Sequence, residues 1–384
     1  MTSAAESTRN LGKSLHSEAE SSREVGEDSH SAGDNLDGVV KGFNADELDA
    51  MKQELFAWWD VNARDLPWRF GRTTPWGILI SEVMSQQTQM SRVAQYWNNW
   101  MDVWPDAASL AKASTAEVIT AWGRLGYPRR ALRLQECAKV VAEQYHDELP
   151  KTYDELVALP GIGDYTASAV MSFAFGERIA VLDTNVRRVL WRTFEGEESF
   201  GGATKPEERK LANAVLPQKP KESVIWNEAL IELGALVCTA KNPKIDEDPW
   251  ASHSRFYAAG CPHMGEKRTR PRQSFKGTNR QVRGIVLNAL RALADSPSAE
   301  MLPRNVADTA SSVTSATSTS TSRKSDHAAA KKVRGEERTV LPSLSREEVE
   351  KLWPDQIQLD ACIASLDEDG LIEIGLDGSL RLPQ

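Results

Sequence analysis

The stretch Leu156–Arg188, LVALPGIGDYTASAVMSFAFGERIAVLDTNVRR, constrains the fold more than any other part of the chain. An apolar segment stops at Pro160, Gly161 and Gly163 bracket Ile162, and a second apolar segment starts at about Thr166. Helix, tight hairpin, helix is the economical reading. Gly161 and Gly163 suit a turn that needs positive φ, and their missing side chains let an anion approach the backbone. Amides of the following helix would point outward beside the positive end of its dipole, so Gly161, Ile162 and Gly163 are expected to form a phosphate seat.

Two carboxyl groups stand in settings that suit acid-base chemistry. Glu82 lies between Ile80 and Val83 in PWGILISEVMSQQTQM. A Glu there is either partly exposed and paired, or desolvated enough to hold a proton near neutral pH. Asp183 precedes Thr184, Asn185 and two arginines, at a helix N-terminus whose amides would keep it ionised. It is either an ordinary N-cap or a carboxylate able to stabilise a developing positive charge. Gln86, Gln87 and Thr88 are consecutive, polar and uncharged, which suits probing of base edges or a solvent-facing helix end. In GRLGYPRR, Gly126 and Tyr127 read as a helix C-cap with a packing aromatic, and Arg129, Arg130 and Arg133 as phosphate contacts or a solvated charged face. RDLPWR, residues 64–69, reads as a turn.

LPGIG resembles the hairpin of the helix-hairpin-helix DNA glycosylases, and VLDTNVRR resembles their catalytic aspartate segment. Twenty positions separate Gly163 from Asp183, about the distance this family keeps. SEVMSQQTQM and LPWR are similar to segments of the MutY-type adenine DNA glycosylases, although Ser85 stands where many relatives carry leucine. The resemblance covers roughly residues 45–262 and implies a mainly α, two-lobed helix-hairpin-helix core over 43–264, with lobe 1 from about 70–190 and lobe 2 from the two ends.

The resemblance also implies an activity: base-excision repair by acid-catalysed hydrolysis of the N-glycosidic bond of adenine mispaired with 8-oxoguanine or guanine in double-stranded DNA. Glu82 would be the acid, Asp183 the stabilising carboxylate and Asn185 its helper. Leu66, Trp68, Arg69, Glu228 and Ile231 would wall the adenine pocket, with Leu233 on the same helix. Gln87 and Tyr127 would wedge into the duplex, with Gln86 alongside and Thr88 beside the base opposite the adenine. Tyr165 stands where strand-cleaving relatives carry a lysine, so a monofunctional enzyme is expected. Two rival readings are a thymine glycosylase acting on T·G mispairs and a non-catalytic protein that binds damaged DNA. Glu228 and the complete SEVM-QQT segment favour adenine, and retention of both Glu82 and Asp183 favours an enzyme.

Relatives hold a [4Fe-4S] cluster with spacing C-x6-C-x2-C-x5-C. Counting from Cys238, the other positions are Ile245, Asp248 and Ser254, so no cofactor is expected, and the loop is expected to be held by Trp250, Phe256 and Tyr257. Cys238, His253, Cys261 and His263 have the ligand types of a zinc site but no usual zinc spacing.

Beyond the core the composition shifts. Residues 1–42 are Ser-, Glu- and Asp-rich and read as a disordered acidic tail, 265–280 as a basic strap or solvated linker, and 295–340 as a disordered Ser/Thr/Ala linker. Residues 281–293 with 341–384 resemble a small winged-helix module, in place of the larger NUDIX-like domain of many MutY-type enzymes. The formal charge of −9 divides into −4 over 1–42, −6 over 43–264, +8 over 265–340 and −7 over 341–384. An acidic C-terminal module is expected to pack or to contact a protein partner rather than DNA. With no long apolar run and four scattered cysteines, a cytoplasmic monomer without membrane contact is expected, nucleoid-associated when DNA-bound.

Overall fold

Helix starts are written into the sequence as caps. Asn44 accepts from the Glu47 amide at 2.9 Å while its own N–H donates to the Glu47 carboxylate at 2.8 Å, which begins the first long helix. Thr74 caps the second, which has Pro75 at its first position. The computed structural model describes residues 40, 42–198, 201–264, 266, 275–294 and 342–384. All of the acidic tail except Val40 and Gly42, the 295–340 linker and most of the basic strap lie outside the described residues.

In chain order the helices are α1 (Ala45–Asn62), α2 (Pro75–Ser85), α3 (Met90–Val103), α4 (Ala107–Lys112), α5 (Thr115–Trp122), α6 (Arg129–Gln144), α7 (Tyr153–Ala158), α8 (Asp164–Phe173), α9 (Thr184–Leu190), α10 (Pro206–Val215), α11 (Pro220–Leu236) and α12 (Arg255–Ala258). They are followed by α13 (Asn279–Ala294), β1 (Ser343–Leu344), α14 (Arg346–Glu350), α15 (Gln356–Glu368), β2 (Glu373–Ile374) and β3 (Leu380–Arg381). The chain divides into two units, the first of residues 1–113 and 124–273, the second of 114–123 and 274–384.

Within the first unit, one core joins the two ends of its sequence. Met51, Leu55, Phe56 and Trp59 of α1 pack with Val186, Val189 and Leu190 of α9, Leu211 of α10, Trp226, Leu230 and Leu233 of α11, and Trp250. The amphipathic spacing of α1 drives this, because its apolar residues recur every three or four positions. Trp250 is fully buried and donates its indole N–H to the Met51 carbonyl at 2.8 Å, tying residues 199 positions apart. The helices α2, α3, α4, α6, α7 and α8 bury a second set of apolar side chains, among them Leu79, Ile80, Val93, Trp100, Leu110, Val141 and Val170. Helix α9, inside the 70–190 range expected for lobe 1, packs in the first of these cores.

The second unit combines α5 and α13–α15 with a three-stranded antiparallel sheet in the order β1-β3-β2, where Leu344 and Ile374 both face Leu380 in register. Val282, Val286, Val349, Leu359, Leu366 and Leu371 are buried, and Arg283 pairs with Asp369. Three C-terminal helices and a small sheet make a winged-helix-like arrangement. Helix α5, which lies inside the range read from the sequence as the core, groups with this unit, and Arg291 of α13 donates to its Ile119 carbonyl at 3.1 Å. Among the described residues, no helix is long and apolar enough to cross a membrane.

Candidate active site

Glu82 sits on α2, a helix so apolar that nine of its eleven residues are buried. The side chain is only 9% exposed, and the Tyr165 hydroxyl, from the first turn of α8, donates to it at 2.9 Å. Burial pushes its carboxyl up to about 7, a rise that Asp183 and Glu228 reinforce and that Tyr165 and Arg69 oppose. Burial also holds the Tyr165 phenol well above its ordinary value, so it remains a donor. The alternative of an exposed, ion-paired Glu82 is therefore set aside.

Asp183 caps α9. One oxygen accepts from the Asn185 and Val186 amides at 2.8 and 2.7 Å, and the other accepts from the Asn185 side-chain amide at 2.8 Å. The expected helix amides are present, yet burial outweighs them and its carboxyl sits above the ordinary Asp value rather than being held down. Both carboxyls are thus raised by burial, but Asp183 receives three donors and Glu82 one. A proton shared between them goes first to Glu82.

The support for Asp183 comes from residues without any motif of their own. Asn227, 2% exposed, accepts from the Val181 amide and donates to the Ser172 hydroxyl and the Ile179 carbonyl, pinning the segment that leads into Asp183. Arg188 donates to Asn185 Oδ1 at 2.7 Å and to the Gly234 and Cys238 carbonyls, locking α9 onto α11. Gly234 makes this approach possible: a Cβ there would lie 2.7 Å from the Asn185 Cβ and 3.0 Å from its backbone. Gly234→Ala is expected to lose about 1–3 kcal/mol despite the better helix propensity of Ala, since backbone rather than a flexible side chain must yield. It should also lower any activity that depends on Asp183, by displacing Asn185 and Asp183. Thermal melting with single-turnover kinetics checks both.

A third carboxyl, Glu232, went unnoticed in the sequence. It is fully buried and accepts from Arg64 through its backbone N–H, Nε and Nη2, and from Arg69 at 2.9 Å. Burial alone would raise its carboxyl, but these hydrogen bonds win and bring it to about 2. Glu232 thereby fixes the RDLPWR turn and holds Arg69, whose Nε lies 3.9 Å from Glu228 and whose guanidinium covers the Trp59 ring. Burial keeps Glu228 above the ordinary Glu value, with Arg69 opposing and Glu232 adding. Arg69 and Glu228 therefore share an electrostatic environment with Glu82. Leu66 and Trp68 are buried, the latter against Trp97 with ring centroids 5.7 Å apart and the rings tilted by 55°, and Ile231 packs partly buried against the α1–α11 core.

The residues expected to probe DNA lie on adjoining loops. Gln86 ends α2, Gln87 is exposed with φ 56°, and the Thr88 hydroxyl donates to the Leu125 carbonyl at 3.2 Å. Tyr127 is 52% exposed with φ 48°. Arg133 makes a surface pair with Glu136. Arg130, by contrast, does not belong to a solvated face: its guanidinium turns inward onto both loops. At the hairpin, the Ile162 amide closes a turn on the Leu159 carbonyl and Gly161 has φ 76°, where a Cβ would also lie 2.7 Å from the Arg133 Cβ. Gly163 departs from expectation. Its φ is −103°, open to any residue, because it caps α8 in extended conformation; no atom lies within 4 Å of where its Cβ would be. Its value is a bare backbone at the helix N-terminus.

One of the four iron–sulfur ligand positions carries sulfur. Cys238 is buried beside Arg192, with burial raising its thiol; Asp248 accepts from the Tyr257 hydroxyl at 2.9 Å and from the Trp250 amide; Ser254 caps α12; Ile245 is 40% exposed. These residues do not fit a four-thiolate cage. Nor are Cys238, His253, Cys261 and His263 gathered into one group: His253 meets Glu54 and His263 meets Glu266, and among the described residues no set of three or more His, Cys, Asp or Glu could hold a metal ion.

Residues 80–218 match the model of the HhH-GPD superfamily base excision DNA repair proteins. The adenine DNA glycosylase of Mycolicibacterium smegmatis is 47% identical over 238 residues, 62% of this chain and 79% of that one. That of Homo sapiens is 38% identical over 219 residues, 54% of this chain and 40% of that one. A solved thermostable thymine-DNA glycosylase is 26% identical with a TM-score of 0.51, covering 55% of this chain and 97% of that one. Its likeness extends to the core fold, whereas the two relatives above, at higher identity, are enzymes for adenine. With the hairpin, the two buried carboxyls and these similarities together, the chain belongs to the adenine DNA glycosylases of the helix-hairpin-helix base-excision repair superfamily.

Proposed function

We propose that this glycosylase hydrolyses adenine from mispairs with 8-oxoguanine or guanine without cutting the strand, and that it works without an iron–sulfur cluster. The adenine is extruded from the duplex toward Glu82. Glu82 gives its proton to N7 of the base, the C1′–N9 bond breaks with its electron pair passing to the base, and neutral adenine departs. Ionised Asp183 stabilises the cationic sugar. A water then adds to C1′ and returns a proton to Glu82, which leaves an abasic site and restores the acid. Tyr165 keeps Glu82 oriented and, lacking an amine, forms no Schiff base with the sugar. Arg69 and Glu228 hold the polar edge of the base.

The observation that supports this reading most is the burial of Glu82 beside Asp183, Arg69 and Glu228, with its carboxyl raised to about 7. For the clusterless reading the support is the chemistry of the positions themselves, where Asp248 accepts from Tyr257, Arg192 donates to Cys238, and Ile245 and Ser254 offer no thiolate.

Duplexes carrying A·8-oxoG, A·G or T·G, incubated with the enzyme and then treated or not with alkali, test the proposal. Release from the two adenine mispairs, with breakage only after alkali, is expected. Release confined to T·G would overturn the substrate reading, and breakage without alkali the monofunctional one. Elemental analysis of active, anaerobically purified protein is expected to find no stoichiometric iron; four irons per chain would refute the clusterless reading.

A further inference from the structure

Gln87 and Tyr127 share an unusual feature: both are exposed non-glycine residues with left-handed backbone, at φ 56° and 48°. Such a conformation is unfavourable for a side chain as bulky as tyrosine and persists where its surroundings enforce it. Each residue sits on a short loop, one ending α2 and the other preceding α6, with neighbours that make hydrogen bonds to a single side chain.

That side chain is Arg130. Its Nη1 donates to the carbonyls of Val83 at 2.8 Å, Met84 at 3.2 Å and Gln86 at 2.7 Å. Its Nη2 donates to the Thr88 hydroxyl at 3.2 Å and to the carbonyls of Leu125 at 3.4 Å and Gly126 at 3.0 Å. The guanidinium also covers the Tyr127 ring, 5.7 Å from its centroid. Burial lowers the Arg130 guanidinium to about 10, a cost that the carbonyls it reaches offset. Arg130 lies in the first turn of α6, where the helix dipole disfavours a cation, but its charge reaches the C-terminus of α2, where carbonyls without helical partners favour one. A planar fork of fixed N–H groups can serve both loops at once, which a point charge cannot.

We propose that Arg130 is a positioning residue that joins the two loops into one rigid unit, so that Gln87 and Tyr127 enter the duplex together and base extrusion depends on a single inward-facing guanidinium. The proposal rests on the reading of Gln87 and Tyr127 as residues that insert into DNA. On this reading Arg130 acts through the two loops it holds and not on the base itself.

Its consequence is non-additivity. In single turnover on an A·8-oxoG duplex, Arg130→Met is expected to lower the excision rate by about 30-fold, the scale of several charged hydrogen bonds removed together. In the Gln87→Ala/Tyr127→Ala background, already slow, the same change should cost less than about threefold. The fluorescence of a 2-aminopurine beside the mispair, which rises as the stack opens, should lose its rise in Arg130→Met at saturating protein. An equal fold-loss in both backgrounds would overturn the proposal, since Arg130 would then act elsewhere, for example through the α2 turn that carries Glu82. Arg130→Lys keeps the charge without the fork and is expected to behave like Arg130→Met; parent-like rates from it would also overturn the proposal, by showing that charge suffices. It carries the same comparison if the methionine variant does not fold. Unchanged rates in Gln87→Ala/Tyr127→Ala would instead refute the insertion reading itself, which is a separate outcome.

Discussion

Glu82→Gln is expected to slow adenine release by about 10³-fold in single turnover, within the range that a positioned general acid supplies, while affinity for the mispaired duplex stays within a few-fold. The amide fits the same space and still accepts from Tyr165, so what disappears is the proton. A second consequence separates this account from a loss of structure. The folded Glu82 carboxyl is raised from 4.5 to about 7. A raised carboxyl contributes stability that is full below its unfolded value and is lost as pH rises through the folded one. Above about pH 7 the parent therefore bears a buried charge that Gln avoids, and the variant should be the more stable by on the order of 3 kcal/mol, a difference that vanishes near pH 4.5. A slow variant that melts higher at pH 8 is the expected combination. A destabilised one would locate the effect in packing instead. A duplex whose target adenine has C–H in place of N7 should be bound and left intact by the parent enzyme, since the acceptor of the proton is gone.

The second large effect is at Asp183. Asp183→Asn retains an oxygen that can accept from the Asn185 and Val186 amides, so the start of α9 survives. The negative charge facing the sugar does not. Removing a full charge from a buried site where positive charge develops is expected to cost about 10³-fold or more in rate, at least as much as one hydrogen-bond donor in an oxyanion hole. Stability should fall by about 1–3 kcal/mol at most, because the new side-chain NH2 meets the Asn185 amide that donated to Asp183, while loss of a charge that burial disfavours offsets part of that cost. Excision within tenfold of the parent would remove Asp183 from the chemistry and leave it as a helix cap.

The residues legible from the sequence were those whose local chemistry is unusual. A glutamate within an apolar helix, an aspartate before TNVRR and a Pro-Gly-Ile-Gly break each stand out against their neighbours, and their roles in the fold match that prominence. What could not be read is the pairing of residues far apart in the chain. Glu232 looks like one more polar position on α11 until Arg64 and Arg69, 168 and 163 positions earlier, are seen to close on it. Asn227 and Gly234 matter only because α8 and α9 come up against α11. Arg130 illustrates the opposite error. Its place among Arg129 and Arg133 in a basic stretch suggested a surface charge, while its side chain turns inward to unsatisfied helix-end carbonyls. Two glycines around one residue suit a positive-φ turn, yet Gly163 is a helix N-cap and takes extended backbone, so this glycine is there for what it leaves uncovered.

The account turns on a glutamate that is protonated at neutral pH. The single-turnover rate on an A·8-oxoG duplex, followed from about pH 5 to about pH 9, tests this directly. The rate should fall, approaching tenfold per unit, as Glu82 loses its proton above about pH 7, with any loss at the acid end coming from protonation of Asp183. A rate that holds level to pH 9, or rises, would contradict Glu82 as the acid.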